Sequence, residues 1–171
     1  MVLPPKPQNG SKNGSQGAPE PGQVQLPVRI VAQYIRDLSF EAPGVEKMLG
    51  GITEEPKLGV EVNVNARNMK DRLFESALDM KAKAENKDGV FYDLHVVYTG
   101  LFEVGDIPEE ALEPLLLIHA PSLLFPFARR IIADLTREGG FPPLLLDPMD
   151  FASMYHQRRM QRGEPTGPAI A

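Results

Sequence analysis

Phe74-Glu75-Ser76-Ala77-Leu78-Asp79-Met80-Lys81-Ala82-Lys83-Ala84-Glu85, then Asn86-Lys87-Asp88-Gly89, then Val90-Phe91-Tyr92-Asp93-Leu94-His95-Val96-Val97-Tyr98-Thr99, is the stretch that decides the fold. In its first part Phe74, Leu78, Met80, Ala82 and Ala84 fall on one side of an extended chain. Glu75, Asp79, Lys81, Lys83 and Glu85 fall on the other, because successive side chains of a strand alternate. In its last part Tyr92, Leu94, Val96 and Tyr98 share one face, and Phe91, Asp93, His95, Val97 and Thr99 the other. The tetrapeptide between them suits a tight turn, with Gly89 free to take a positive φ. The pattern predicts an antiparallel hairpin with strands over 72–85 and 90–103.

Working upstream, Val60, Val62 and Val64 alternate with Glu61, Asn63 and Asn65, a half-buried strand. Val28, Ile30 and Ala32 predict a first strand over 27–36. Asp37 to Pro43 continues it in extended form, since a proline disfavours helix at the residue before it. A crossover over 44–55 joins these strands, with Met48, Leu49 and Ile52 as its apolar members. Working downstream, the signal turns helical. Asp106 is placed to cap the run from Pro108 to Leu112, and Pro114 and Pro121 break this region into pieces. Leu124, Ala128, Ile131, Ile132 and Leu135 then recur at helical spacing until Gly139-Gly140. Asp147 is expected to cap a last helix that carries Phe151, Met154 and Tyr155. The fold class expected is α+β: a four-stranded antiparallel sheet with helices packed on one side. Two helices cover such a sheet only partly, so self-association is expected.

The 171 residues carry a net charge of −5 and no cysteine. Zero cysteine excludes disulfide scaffolds, thiolate metal sites and cysteine nucleophiles. Residues 1–26 hold nine of the 32 prolines and glycines and few large apolar side chains. Such a segment cannot offset its own ordering entropy and is expected to be a disordered tail. The folding domain is expected over 27–160, with a flexible tail over 161–171. No secretory leader opens the chain, and the longest strongly apolar run, around Leu115–Ile118, is short for a membrane span. A cytoplasmic protein without direct membrane insertion is expected. The acidic balance argues against a nucleic-acid partner.

His95, His119 and His156 sit at no metal-ligand spacing, so no metal is expected. No nucleotide loop, dinucleotide fingerprint or nucleophile elbow occurs, so no cofactor and no catalytic residue are assigned. Three readings stay open on the residues alone: a binding protein, a small enzyme with a pocket assembled in three dimensions, and a structural oligomer. The uncovered sheet favours the first.

Four blocks then stand in a recognisable order. Asp37-Leu38-Ser39-Phe40-Glu41-Ala42-Pro43 follows the first strand, and Tyr98-Thr99-Gly100-Leu101-Phe102 closes the fourth. His119-Ala120-Pro121-Ser122-Leu123-Leu124-Phe125-Pro126-Phe127-Ala128-Arg129 opens the strong helix. Gly140-Phe141-Pro142-Pro143-Leu144 and its continuation through Leu146, Pro148 and Phe151 come last. Together they resemble the SecB family of bacterial protein-export chaperones, across about 28–157; the long Pro/Gly-rich front is a departure.

The resemblance implies a cytosolic, ATP-independent holdase that binds non-native secretory precursors and delivers them to the motor SecA. It implies a homotetramer, a dimer of dimers, with strands pairing between protomers and long helices at the dimer–dimer interface. It points to SecA binding at Asp37, Glu41, Asp93 and His95. His95 departs from the acidic residue common there, so motor binding is either weaker or tied to its protonation. It places a client groove between the crossover and the last helix, at Phe40, Met48, Leu49, Ile52, Tyr92, Phe151, Met154 and Tyr155. It implies an oligomer interface at Leu94, Val96, Tyr98, Leu124, Phe127, Ile131 and Leu135. A related holdase serving a toxin–antitoxin system is the nearest alternative, and the Asp37/Glu41 pair favours export.

Overall fold

A computed structural model describes residues 28–51 and 54–163. The tail expected over 1–26 lies outside the described residues, as does most of the one expected over 161–171. The chain forms four strands, β1 (Val28–Glu41), β2 (Lys57–Lys70), β3 (Leu73–Asn86) and β4 (Gly89–Val104). They build one antiparallel sheet in the order β1-β4-β3-β2. The expected β3–β4 hairpin is present, with Gly89 at φ 117° and the Asn86 side chain accepting from the Asp88 amide at 2.8 Å. The predicted first strand and its extension are one strand, interrupted by register shifts at Ile30/Ala32 and Ile35/Asp37. The first shift puts Ala32 opposite Leu101, on the other face from Val28 and Ile30, so their simple alternation does not hold.

The crossover holds a short helix, α1 (Val45–Leu49). Gly44 leads into it. Its amide donates to the Phe91 carbonyl at 3.1 Å, and a Cβ at this position would stand 2.5 Å from the Phe91 Cα. Only glycine fits against β4 here.

The proline-broken region is one continuous helix from Glu109 to Glu138. It comprises α2 (Glu109–Pro114), a π turn (Leu115–His119) and α3 (Ala120–Glu138). In the π turn the Ala120 amide bonds the carbonyl of Leu115, five residues back. The Leu116 carbonyl is thereby left without a helical donor, because Pro121 has no amide hydrogen. The buried Ser76 hydroxyl donates to it at 2.8 Å. By length and composition this helix could cross a membrane, with a window of mean hydropathy 1.4. The run at Leu115–Ile118 is one part of it, and 33% of that window is buried inside the protein. Its apolar stripe is used on the sheet: Leu116, Leu124, Ala128 and Ile132 are buried there. Asp106 does not cap α2; it pairs with Arg72, and Pro108 stands at the cap position.

Beyond the stop at Gly139, the buried Thr136 hydroxyl donates to the Ile132 carbonyl at 3.0 Å and accepts from the Leu144 amide at 2.9 Å. This binds the proline-rich link to α3. Asp150, not Asp147, caps the last helix, α4 (Phe151–Gln161), by accepting from the Ser153 amide at 2.9 Å. The core lies between the helices and one face of the sheet, with Leu78, Met80, Leu94, Val96 and Phe102 beneath Leu124, Ala128 and Ile132.

Leu124 is fully buried in that core. Leu124→Ala should lower unfolding free energy by about 2–5 kcal/mol, because the cavity has rigid walls on both sides. Urea unfolding followed by far-UV circular dichroism measures it.

Candidate functional site: two faces of one sheet

The face of the sheet turned away from the helices is polar. The register sets Glu41 opposite Asp93, Ser39 opposite His95 and Asp37 opposite Val97. The four positions expected to bind a partner therefore share one patch across β1 and β4. The structure adds Asp79 from β3, whose Oδ1 lies 2.9 Å from His95 Nε2; Asp37 Oδ2 lies 3.9 Å from His95 Nδ1. Asp79 was read from sequence only as one member of an alternating polar face; its meeting with His95 needs the β3–β4 register. Glu41 directly across from Asp93 is a like-charge pair, which destabilises a sheet. Lys83, also opposite Asp93, turns its amine to Glu85 at 2.7 Å. The Asp37 side chain is 65% exposed. The patch is thus open, negative and locally unfavourable, as binding surfaces are where they depart from local rules.

Next to it sits a closed cluster. Glu75 is 2% exposed, yet it is charged. Arg67 donates to it at 2.8 and 3.0 Å, Arg36 at 2.7 Å and the Tyr34 hydroxyl at 3.3 Å. The Arg67 hydrogen bonds hold its carboxyl below the usual glutamate range, with the charges of Arg67 and Arg36 adding to them against the opposing pull of burial. Burial, helped by the Glu75 charge, pushes the Tyr34 hydroxyl up. This cluster ties β1 to β2 over the two central strands.

The helix side is apolar and aromatic. Phe40, Tyr92 and Phe141 form a chain with ring centroids 6.1 and 5.0 Å apart. Phe125 meets Phe151 edge-on at 5.8 Å, and Tyr98 stacks on Phe127 at 6.2 Å. Of the expected client residues, Tyr92, Phe151 and Tyr155 are buried, and Phe40, Met48 and Met154 are half-buried against the core. Leu49 is 90% exposed, and Ile52 lies outside the described residues. Burial raises the Tyr92 and Tyr155 hydroxyls; Glu113 adds to the second.

The expected groove between crossover and last helix is not assembled as such. The crossover helix sits at the hairpin end, where Lys47 bonds the Asp88 carbonyl. α4 instead packs on the π turn and reaches β2 through Arg158. Beneath it is a cavity of ≈ 40 Å³ lined by Val64, Leu117, Phe151, Met154, Tyr155 and Arg158. Beside it runs an open groove of ≈ 480 Å³ along β2, floored by Phe74, Leu112, Leu116 and Leu117. Neither reaches Met48 or Leu49. The valine alternation of β2 and the leucines of the π turn carried the signal for this groove; the missing link was that the helix runs unbroken past β2.

The expected interface residues divide in the same way. Leu94, Val96, Tyr98 and Leu124 are buried in the chain's own core, so they have no surface to offer a second copy. Ile131 and Leu135 are half-buried, and Phe127 is 45% exposed. Leu123, at 48%, joins it on the outer side of α3. Along β1, Ile30, Ile35 and Leu38 also stay exposed.

A family model described as SecB, preprotein translocase subunit SecB, matches residues 21–162. The chain belongs to the SecB family. Its relatives include protein-export proteins SecB from Mesorhizobium japonicum, 45% identical over 85% of this chain and 84% of the relative. Those from Parvibaculum lavamentivorans (44%, 90% of each chain) and Caulobacter vibrioides (45%, 90% and 96%) agree. Among solved structures, the SecB-like chaperone of Mycobacterium tuberculosis, determined with an antitoxin peptide, shares the fold at TM-score 0.57 and 16% identity. The match covers 71% of this chain and 90% of that one. As a SecB-family member, this chain is a chaperone of protein export.

Glu75→Gln should destabilise the fold near neutral pH. Because the folded-state carboxyl is held below its unfolded value, the native chain's advantage exists above the ordinary glutamate range. It shrinks as pH falls toward Glu75's own lowered value. Urea midpoints of both proteins between pH 7 and pH 3 should therefore converge on acidification.

Proposed function

We propose that this chain is a nucleotide-independent holdase of the cytosol that keeps non-native secretory precursors unfolded and passes them to SecA. The single observation that carries this reading is the division of labour across the sheet. A carboxylate patch, exposed at Asp37, Glu41 and Asp93 and backed by the half-buried Asp79, occupies one face, and a groove with an apolar floor and charged walls (Arg67, Glu109, Glu113, Arg162) opens beside the helices along β2. The patch offers a surface for a basic partner such as a segment of SecA, and His95 stands at its centre. The groove offers sites for apolar side chains of an extended client.

The magnitudes suit weak, repeated binding. Burying roughly 1,000 Å² of apolar client surface gives about 25 kcal/mol at about 25 cal/mol per Å². Ordering some fifteen client residues costs about 15–25 kcal/mol, and association costs several more. One site alone therefore holds little. Several sites on one long chain hold much more, which favours a homotetramer built as a dimer of dimers. Leu123 and Phe127 on α3, with Ile131 and Leu135 beside them, support helix packing between dimers. The exposed β1 edge supports strand pairing within them.

Asp37→Lys with Glu41→Lys should abolish SecA capture while the chain still suppresses aggregation of a reduced, unfolded test protein without ATP. Loss of both activities, or of neither, contradicts the assignment. Leu123→Asp with Phe127→Asp should halve the mass seen by multi-angle light scattering with the circular dichroism spectrum unchanged. An undiminished particle would place the interface elsewhere.

A further inference from the structure

Arg158 occupies an unusual position. Phe151, Met154, Tyr155 and Arg158 follow one another at i, i+3, i+4 and i+7, so all four lie on the α4 face that looks onto the π turn and the Val64 position of β2. The first three fill that face with apolar surface. The fourth is a guanidinium, and it is spent on the edge strand. Its Nη1 donates to the Val64 main-chain carbonyl at 2.7 Å and its Nη2 to the Asn63 side-chain oxygen at 3.2 Å. Arg158, Val64 and Leu117 line both the small cavity and the open groove. Arg158 therefore stands, with Val64 and Leu117, where the two meet, and of the three it is the one held there by side-chain hydrogen bonds.

The sizes make this junction consequential. The small, partly open cavity, at ≈ 40 Å³, is far below the roughly 150 Å³ that admits a benzene ring. Joined to the ≈ 480 Å³ groove, it becomes the deep end of a channel lined by Leu117, Phe151, Met154 and Tyr155. The groove itself runs along Val64 to Asn68 of β2, an edge strand of the sheet. That geometry matches one occupant, an extended stretch of unfolded polypeptide lying along β2 with a bulky apolar side chain turned inward.

We propose that Arg158 is the gate of this channel. Its bonds to Val64 and Asn63 seat α4 on β2 and keep the apolar end closed, and its release admits an aromatic or large aliphatic client side chain. The inference rests on the client-holding reading above. It adds a residue that sets when the site opens and how deep a side chain it takes. Arg158 is a positioning residue, acting through the seat of α4.

The chain has no cysteine, so a thiol pair can be installed cleanly. Asn63→Cys with Arg158→Cys, bridged by a short bis(methanethiosulfonate) that forms a disulfide at each cysteine and releases methanesulfinate, fixes α4 on β2 in the full-length protein. The probe is a reduced, carboxymethylated, permanently unfolded protein labelled with fluorescein, followed by stopped-flow anisotropy. The bridged protein should bind it at least about tenfold more weakly, and cleaving the bridge in the same sample should restore binding. Arg158→Met keeps the aliphatic stem but removes bonds of the strength typical of a charged donor, so association should quicken about tenfold. Arg158→Lys should fall between. Equal binding by bridged and cleaved protein, or an association rate unchanged by Arg158→Met, overturns the gate while leaving the holding function standing. No binding of the probe by the unaltered protein overturns the holding function, and the gate with it.

Discussion

The carbonyl of Leu116 has no donor within its own helix, and a serine on a neighbouring strand supplies one. That bond lets a helix with three internal prolines run from Glu109 to Glu138 without a break. Without it a buried carbonyl would be stranded beside Pro121, at a cost comparable to that of any unmade interior hydrogen bond. The rest of the molecule follows from the unbroken helix. Its stripe of Leu124, Ala128 and Ile132 closes the core over β3 and β4. Its first turns pass alongside β2 and make the groove, and its far end holds the proline-rich link through Thr136.

The two faces of the sheet solve opposite problems. On the helix side, apolar surface is buried but not completely, and an open groove remains along β2. On the far side, the sheet tolerates Glu41 facing Asp93 and sets Asp37 and Asp79 around His95. The neighbouring Glu75 shows what the same chemistry looks like when it serves the fold. There a carboxylate is enclosed, doubly paired with arginines and bonded by a tyrosine. The carboxylates at one end of the surface stay largely wet around a single histidine, and the one at the other end is dry and held by two arginines.

The strands were legible in the sequence because alternation is a local signal. Val60, Val62 and Val64 state their own pairing geometry, and Asn86 to Gly89 names its own turn. The patch at Asp37, Glu41, Asp93 and His95 was legible through its resemblance to a family, and the register then gathered the four positions. What stayed hidden depended on contacts distant in sequence. The two bulges in β1 leave no composition mark, so Ala32 was put on the wrong face. Pro114 and Pro121 read as breaks, and the serine that compensates Pro121 lies forty residues upstream of the carbonyl it serves. Leu94, Val96 and Leu124 carried a correct hydrophobic signal with an incorrect destination: apolarity says that a side chain is covered, not by which copy. Arg158 carries no local signal for its place, because its carbonyl partner on β2 lies 94 residues away.

The bulges in β1 have one more effect. An edge strand of fourteen residues with exposed Val31, Tyr34 and Ile35 is the kind of template on which chains stack without limit. At Ile30/Ala32 and Ile35/Asp37 the spacing of main-chain groups skips a beat. A neighbour cannot slide along such an edge by two residues and find equivalent partners, as it could on a regular ladder. The notches act like the cuts on a key: they admit a mate whose own irregularities fall in step, and they turn away the featureless strands of amyloid. For a protein whose work is to sit among sticky, unfinished chains, that safeguard is written into the backbone.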